Sequence, residues 1–131
     1  MITVDLARRL KAAGLEWTPA SGDRFHVPDR DLDDETFVVS EMTIETHELP
    51  AGRVVRFNGT TEWALDSIME SEVVWLPHEA QLRALLGSEF VRLEALGDGF
   101  AVETSGPRGG RFVDIDAERA YARALLARLE G

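Results

Sequence analysis

The sequence predicts an α+β fold: an antiparallel sheet of about six or seven strands, helices at both termini and two in the middle, mainly on one face. Three observations carry this. Runs of strand type, such as 42–49 with 53–58 and 90–96 with 100–104, are joined by short turns, which only antiparallel neighbours allow. Helical periodicity appears near both ends, in residues 3–13 and after Asp116. No repeat, low-complexity segment or linker interrupts the 131 residues, so one domain over 1–131 is expected.

Thr3 reads as an N-cap, Asp5 stands in the first turn, Leu6, Leu10 and Ala13 share a face, and Gly14 ends the helix. Leu15-Glu16-Trp17-Thr18 and Arg24-Phe25-His26-Val27 alternate around the turn residues 19–23, which predicts a hairpin that Pro28 closes. The run Asp29 to Glu35 is the most charged in the chain. Its aspartates at 29, 31 and 33 match the first ligand positions of a calcium loop. Asp34 stands where that loop needs glycine and Ser40 where it needs a bidentate glutamate, so a solvated loop is expected instead. Residues 36–39 are β-rich, and 42–49 pair with 53–58 across Pro50-Ala51-Gly52.

The stretch Arg53 to Gln81 organises the rest. Asn58-Gly59 is a hairpin signal, but Thr60-Thr61-Glu62 follows, and Ala64, Leu65, Ile68 and Met69 then recur at helical spacing. This predicts a strand-to-helix junction with a helix of about residues 61–70. Trp63 falls opposite that helix's apolar stripe. There it either covers a neighbouring strand or serves as a binding anchor, a role in which tryptophan is enriched. Val73-Val74-Trp75-Leu76 reads as a buried strand, and Pro77 as the first residue of a helix. Leu82, Leu85 and Leu86 form that helix's stripe, with His78 on the same side, and Gly87 stops it. Residues 90–96, 100–104 and 111–113 form a meander, and Asp116 caps a closing helix with Ala117, Tyr121, Ala124, Leu125 and Leu129 inward.

The formal net charge is −10, from 24 acidic and 14 basic side chains. Such a surface repels phosphate backbones and gains nothing from counterion release, so no nucleic-acid partner is expected. A protein partner is, and the charge fits either simple solubility or a face made for a basic surface. No apolar run approaches a membrane span and no secretory start is present, so a cytoplasmic location and no membrane contact are expected. The chain has no cysteine, which removes disulfides, thiolate metal sites and cysteine nucleophiles.

No GxxxxGK(S/T), GxSxG or HExxH motif occurs, and Gly106, Gly109 and Gly110 lie between strands rather than before a helix. No catalytic residue, metal or cofactor is therefore expected. The binding surface expected is Thr60, Thr61, Glu62 and Trp63 with His78, in a non-catalytic interaction domain. One alternative is an enzyme with a metal-assisted site using His26 and His47 on one wet face, beside Glu45 or Glu16. The other is an inhibitor or immunity-type protein that blocks a basic partner.

The run from Phe57 to Ser67, with Trp75-Leu76-Pro77, Gln81-Leu82-Arg83, Gly22-Asp23-Arg24-Phe25, Phe37-Val38-Val39-Ser40 and Met42-Thr43, resembles a group of small actinobacterial proteins. Proteins of that group are commonly labelled pilus assembly proteins. The resemblance covers most of the chain and implies no catalytic residues.

Overall fold

The computed structural model describes residues 1–27, 36–39, 43–49, 52–58, 67–69 and 73–131, with the backbone alone for 43–49, 52–58 and 67–69. In chain order the elements are α1 (Val4–Ala12), β1 (Arg24–His26), β2 (Phe37–Val38), β3 (Thr43–Leu49), β4 (Gly52–Asn58), β5 (Ser67–Met69), β6 (Val74–Leu76), α2 (Glu79–Leu86), β7 (Phe90–Leu96), β8 (Gly99–Thr104), β9 (Arg111–Asp114) and α3 (Ala117–Glu130). The fold is α+β. Its described strands form three sheets of three, ordered β2-β1-β6, β3-β4-β5 and β7-β8-β9, instead of one sheet of six or seven. By contacts the chain divides into two compact units: Met1–Glu16 with Leu76–Gly131, and Trp17–Trp75.

In the first unit the N-terminal ends of α1 and α3 are built by their local sequence. Thr3 Oγ1 accepts from the Leu6 amide at 3.1 Å, and the α1 residues Leu6, Ala7 and Leu10 are buried. Asp116 accepts from the Arg119 amide at 3.1 Å and starts α3. Pro77 was expected as the first helical residue of α2, but His78 is the N-cap and Pro77 precedes it. Gly87 ends α2 at φ +59°, a conformation that glycine adopts without steric cost. Arg128 Nη1 donates to the Leu85 and Leu86 carbonyls at 2.6 and 3.2 Å. These are carbonyls the end of α2 leaves without helical partners.

The meander forms as expected, with Leu96 opposite Gly99, so the β7–β8 turn holds only Gly97 and Asp98. α3 packs against β8 and β9 and also against α1 and α2. It is therefore buried almost all round, at Ala120, Tyr121, Ala122, Ala124, Leu125 and Leu126, rather than along one stripe.

Asp114 at the end of β9 ties the meander to α3. Its carboxylate lies 2.9 Å from Arg119 Nη2, 2.9 Å from Arg123 Nε and 3.0 Å from the Asp116 amide. Burial alone would raise its pKa. The Asp116 amide and the Arg119 and Arg123 guanidinia outweigh that and hold it below the usual carboxylate range. A folded value below the unfolded one stabilises the fold at pH above the unfolded value of about 4, and that part is lost as pH falls through the folded value. Asp114→Asn should cost about 1–2 kcal/mol at neutral pH, discounted because both arginines are partly in water. Urea titrations at pH 7 and about pH 3 check this: the gap between wild type and variant should shrink at the acid end.

In the second unit β1 is the central strand of its sheet. It pairs with β2 (Arg24 opposite Val38, Phe25 opposite Phe37), not with Leu15–Thr18, which is not a strand. Trp17 is used differently. Its ring packs 5.5 Å from Phe25, which in turn lies 5.5 Å from Phe37. Its Nε1 donates to Asp23 Oδ2 at 2.8 Å. Val27, Val39 and Val73 complete this core, with Trp75 packed against it.

The β3–β4 hairpin is as expected, in register from Thr43 opposite Asn58 to Leu49 opposite Gly52. The helix expected over residues 61–70 is not formed at its C-terminal part. Ser67–Met69 is instead the strand β5, pairing with Val54–Arg56 of β4, and residues 61–66 lie outside the described residues. Pairing β5 with β4 satisfies backbone groups that the edge of a two-stranded hairpin leaves open.

Candidate functional site

Of the five residues expected to form a binding surface, Thr60, Thr61, Glu62 and Trp63 lie outside the described residues. All four belong by position to the unit 17–75, whereas His78 belongs to the other unit. His78 there has a local role as the N-cap of α2: its amide donates to Gln81 Oε1 at 2.8 Å. The next amide, of Glu79, donates to Glu118 Oε2 on α3 at 3.1 Å.

The strands expected to bring two histidines side by side do not pair. β1, which carries His26, and β3, which carries His47, belong to different sheets and are not hydrogen-bonded neighbours. His26 is also 4% exposed instead of lying on a wet face. The physical reason is its place on the central strand of a sheet, between buried Phe25 and Val27. Among the described residues, no three His, Asp or Glu side chains are grouped to hold a metal ion. No described helix is long and apolar enough to cross a membrane.

The two units differ sharply in charge. Residues 17–75 hold thirteen acidic and four basic side chains, a net −9 over 59 residues. The other 72 residues hold eleven acidic and ten basic side chains, a net −1. The net charge of the chain is thus carried almost wholly by one unit.

Within the near-neutral unit many of the charges pair with one another. On the outer face of the meander, Arg111 Nη1 lies 2.9 Å from Glu94 and 3.1 Å from Glu103, and Arg92 Nη2 lies 2.9 Å from Glu103. The Arg92 hydrogen bond, helped by Arg111, holds the Glu103 carboxyl below its ordinary range, and Glu94 and Glu103 push the Arg111 guanidinium up. Arg9 pairs with Glu130 at 3.6 Å and Arg128 with Glu89 at 3.4 Å. Tyr121, fully buried, has its phenol pushed up by burial first and by Glu79 second, with Arg83 pulling the other way.

In the acidic unit little neutralisation is available. Two of the four arginines stand directly opposite glutamates in the hairpin register, Arg56 opposite Glu45 and Arg53 opposite Glu48. Asp23 is committed to the core, where its Oδ2 takes the Trp17 indole and the Ala20 amide at 3.0 Å. Asp29, Asp31, Asp33, Asp34 and Glu35 remain in sequence beside a single arginine, Arg30. Only the division into units could reveal this asymmetry, since a whole-chain charge averages over it. Comparison of the chain with family models, curated proteins and solved structures returns no match.

Proposed function

We propose that the protein is a non-catalytic, cytoplasmic interaction domain whose residues 17–75 bind a basic protein surface. The observation that carries this is the concentration of charge: a net −9 in one unit beside a net −1 in the other. A solubility role alone calls for no such partition, because charge spread over both units serves it equally well. Concentrated like charge opposes compaction of the unit that bears it, and a cationic partner relieves that cost. Phosphate backbones carry the wrong sign, so the partner is protein rather than nucleic acid. Blocking a basic active or binding surface, as an inhibitor or immunity-type protein does, is the form of this reading that the charge favours. Thr60, Thr61, Glu62 and Trp63 lie in the acidic unit and supply the anchor within it. The resemblance to small actinobacterial proteins adds no chemistry to this reading.

A metal-assisted enzyme is the weaker reading, because its two histidines stand on strands of separate sheets.

The test is a pull-down with the full chain, followed by kinetics with the partner identified. The association rate should fall at least about tenfold between roughly 50 and 500 mM salt, as steered encounters do. Replacing Asp29, Asp31 and Asp33 together by asparagine should slow association, and Trp63→Ala should weaken binding by about tenfold or more. An association rate indifferent to salt and to the triple substitution would sink the proposal.

A further inference from the structure

Among the described residues β9, the last strand in the order β7-β8-β9, has no strand paired to its outer edge. Its backbone geometry can be worked out from one pair of bonds. Thr104 N donates to Gly110 O at 2.9 Å and Gly110 N to Thr104 O at 3.1 Å, a reciprocal hydrogen-bonded pair. Antiparallel ladders alternate such pairs with non-bonded ones. In the observed register, Phe112 opposite Val102 is bonded, while Arg111 opposite Glu103 and Val113 opposite Ala101 are not. The amides and carbonyls of Arg111 and Val113 therefore point away from β8, toward the open edge.

Beside the exposed Arg111, two apolar side chains stand in water here, one on β9 and one just after it. Val113 is 52% and Ile115 is 74% exposed. The opposite edge is protected differently: the β7 ladder is irregular between Phe90 and Arg92, and such a bulge breaks the run of free backbone groups. The register of β9 against β8 runs without such a break.

We propose that β9 pairs antiparallel with β9 of a second copy of this chain, around a two-fold axis at Phe112. The free groups of β9 are self-complementary in this register. Arg111 exchanges both backbone bonds with Val113 of the second copy, and Val113 with its Arg111, so four outward bonds are satisfied. Faces also match, because opposite residues in a ladder share a face. On the outer face each Arg111 stem lies beside a Val113. On the face toward α3, Phe112 meets Phe112 of the second copy. Asp114 and its two arginines stand opposite Gly110 of the second copy, which has no side chain to obstruct them.

Charge permits this contact here and not in the acidic unit. Arg111 is already paired with Glu94 and Glu103, and Asp114 with Arg119 and Arg123. The unit as a whole carries a net −1. Four residues per copy bury less than the roughly 800 Å² per partner of a standard interface, so the dimer is weak. It is independent of the basic partner proposed for the other unit.

Sedimentation velocity on the full chain tests it. Mass should rise from one chain toward two between about 10 µM and about 1 mM. Over the same range the amides of Arg111 and Val113 should gain hydrogen-exchange protection, while those of Phe112 and Asp114 stay protected throughout. Val113→Pro removes an outward donor without touching the ladder to β8, and Val113→Lys places a charge on the edge. Both should hold the chain at one copy, and if the proline variant folds poorly the lysine variant decides. A wild-type chain still single at about 1 mM overturns the proposal, as does doubling that survives Val113→Lys.

Discussion

Asp23→Ala is expected to destabilise the protein by about 3 kcal/mol, although Asp23 adds to an already crowded negative charge. The side chain is 4% exposed and accepts from the Trp17 indole at 2.8 Å and the Ala20 amide at 3.0 Å. Truncation leaves the buried Trp17 indole without its acceptor, while the Ala20 amide, on an exposed residue, can turn to water. A buried donor left unmade costs about 1–3 kcal/mol. Relief of charge repulsion works the other way but acts through solvent, where a charge pair is worth about 1 kcal/mol or less. The lost bonds win. Asp23→Asn retains an acceptor oxygen and should cost less than half as much. Tryptophan fluorescence during urea unfolding is the measurement. All three tryptophans, at 17, 63 and 75, belong to this unit, so the signal reports on it. An alanine variant within about 0.5 kcal/mol of wild type would show that the carboxylate is not structural.

Leu82→Ala is expected to cost about 3 kcal/mol and to lower Tm by about 10 °C. Leu82 is fully buried on α2, which packs against α3, and α3 is surrounded on nearly all sides. A helix so enclosed cannot shift far to fill the space that three missing carbons leave, so the cavity cost adds to the lost transfer energy. Leu85, one position short of the same stripe's centre, is partly exposed, and its truncation should cost less. Far-UV circular dichroism is the right probe, because all three described helices belong to the unit of Leu82. A Leu82→Ala melt within about 2 °C of wild type would contradict the packing described for α2. Comparing the two probes across both variants also shows whether the units unfold together. Coincident midpoints mean one cooperative transition, and separated midpoints mean two.

Much of the fold was legible where the signal is local. Thr3, Asp116 and Gly87 mark helix ends because capping needs only atoms within one turn. The hairpin of β3 and β4 and the meander of β7 to β9 were readable because period-2 alternation and short turns sit side by side in the chain. The misreadings share a cause. Leu15–Thr18 alternates like a strand, yet Trp17 is taken by the aromatic core and by Asp23. Ala64, Leu65, Ile68 and Met69 have helical spacing, yet Ser67–Met69 completes the sheet beside β4. Helix and strand patterns overlap in short apolar runs, and the neighbour that decides between them lies far along the chain.

Of the candidate site, the sequence supplied the residue types and tertiary structure supplied their company. His26 reads as a surface histidine until β1 becomes the centre of a sheet. His78 reads as part of a binding surface, and the structure gives it the N-cap of α2. The sequence by itself determined most of the element types, most helix ends and the net charge of −10, because each depends on composition or on residues within a few positions. Only the tertiary structure decided that β1 pairs with β2 and β6 and that β5 joins β4, and how that charge is divided, −9 to −1. The reason is physical: the first unit closes only when the segment 1–16 returns to the segment 76–131, and that long-range packing is written in no local pattern.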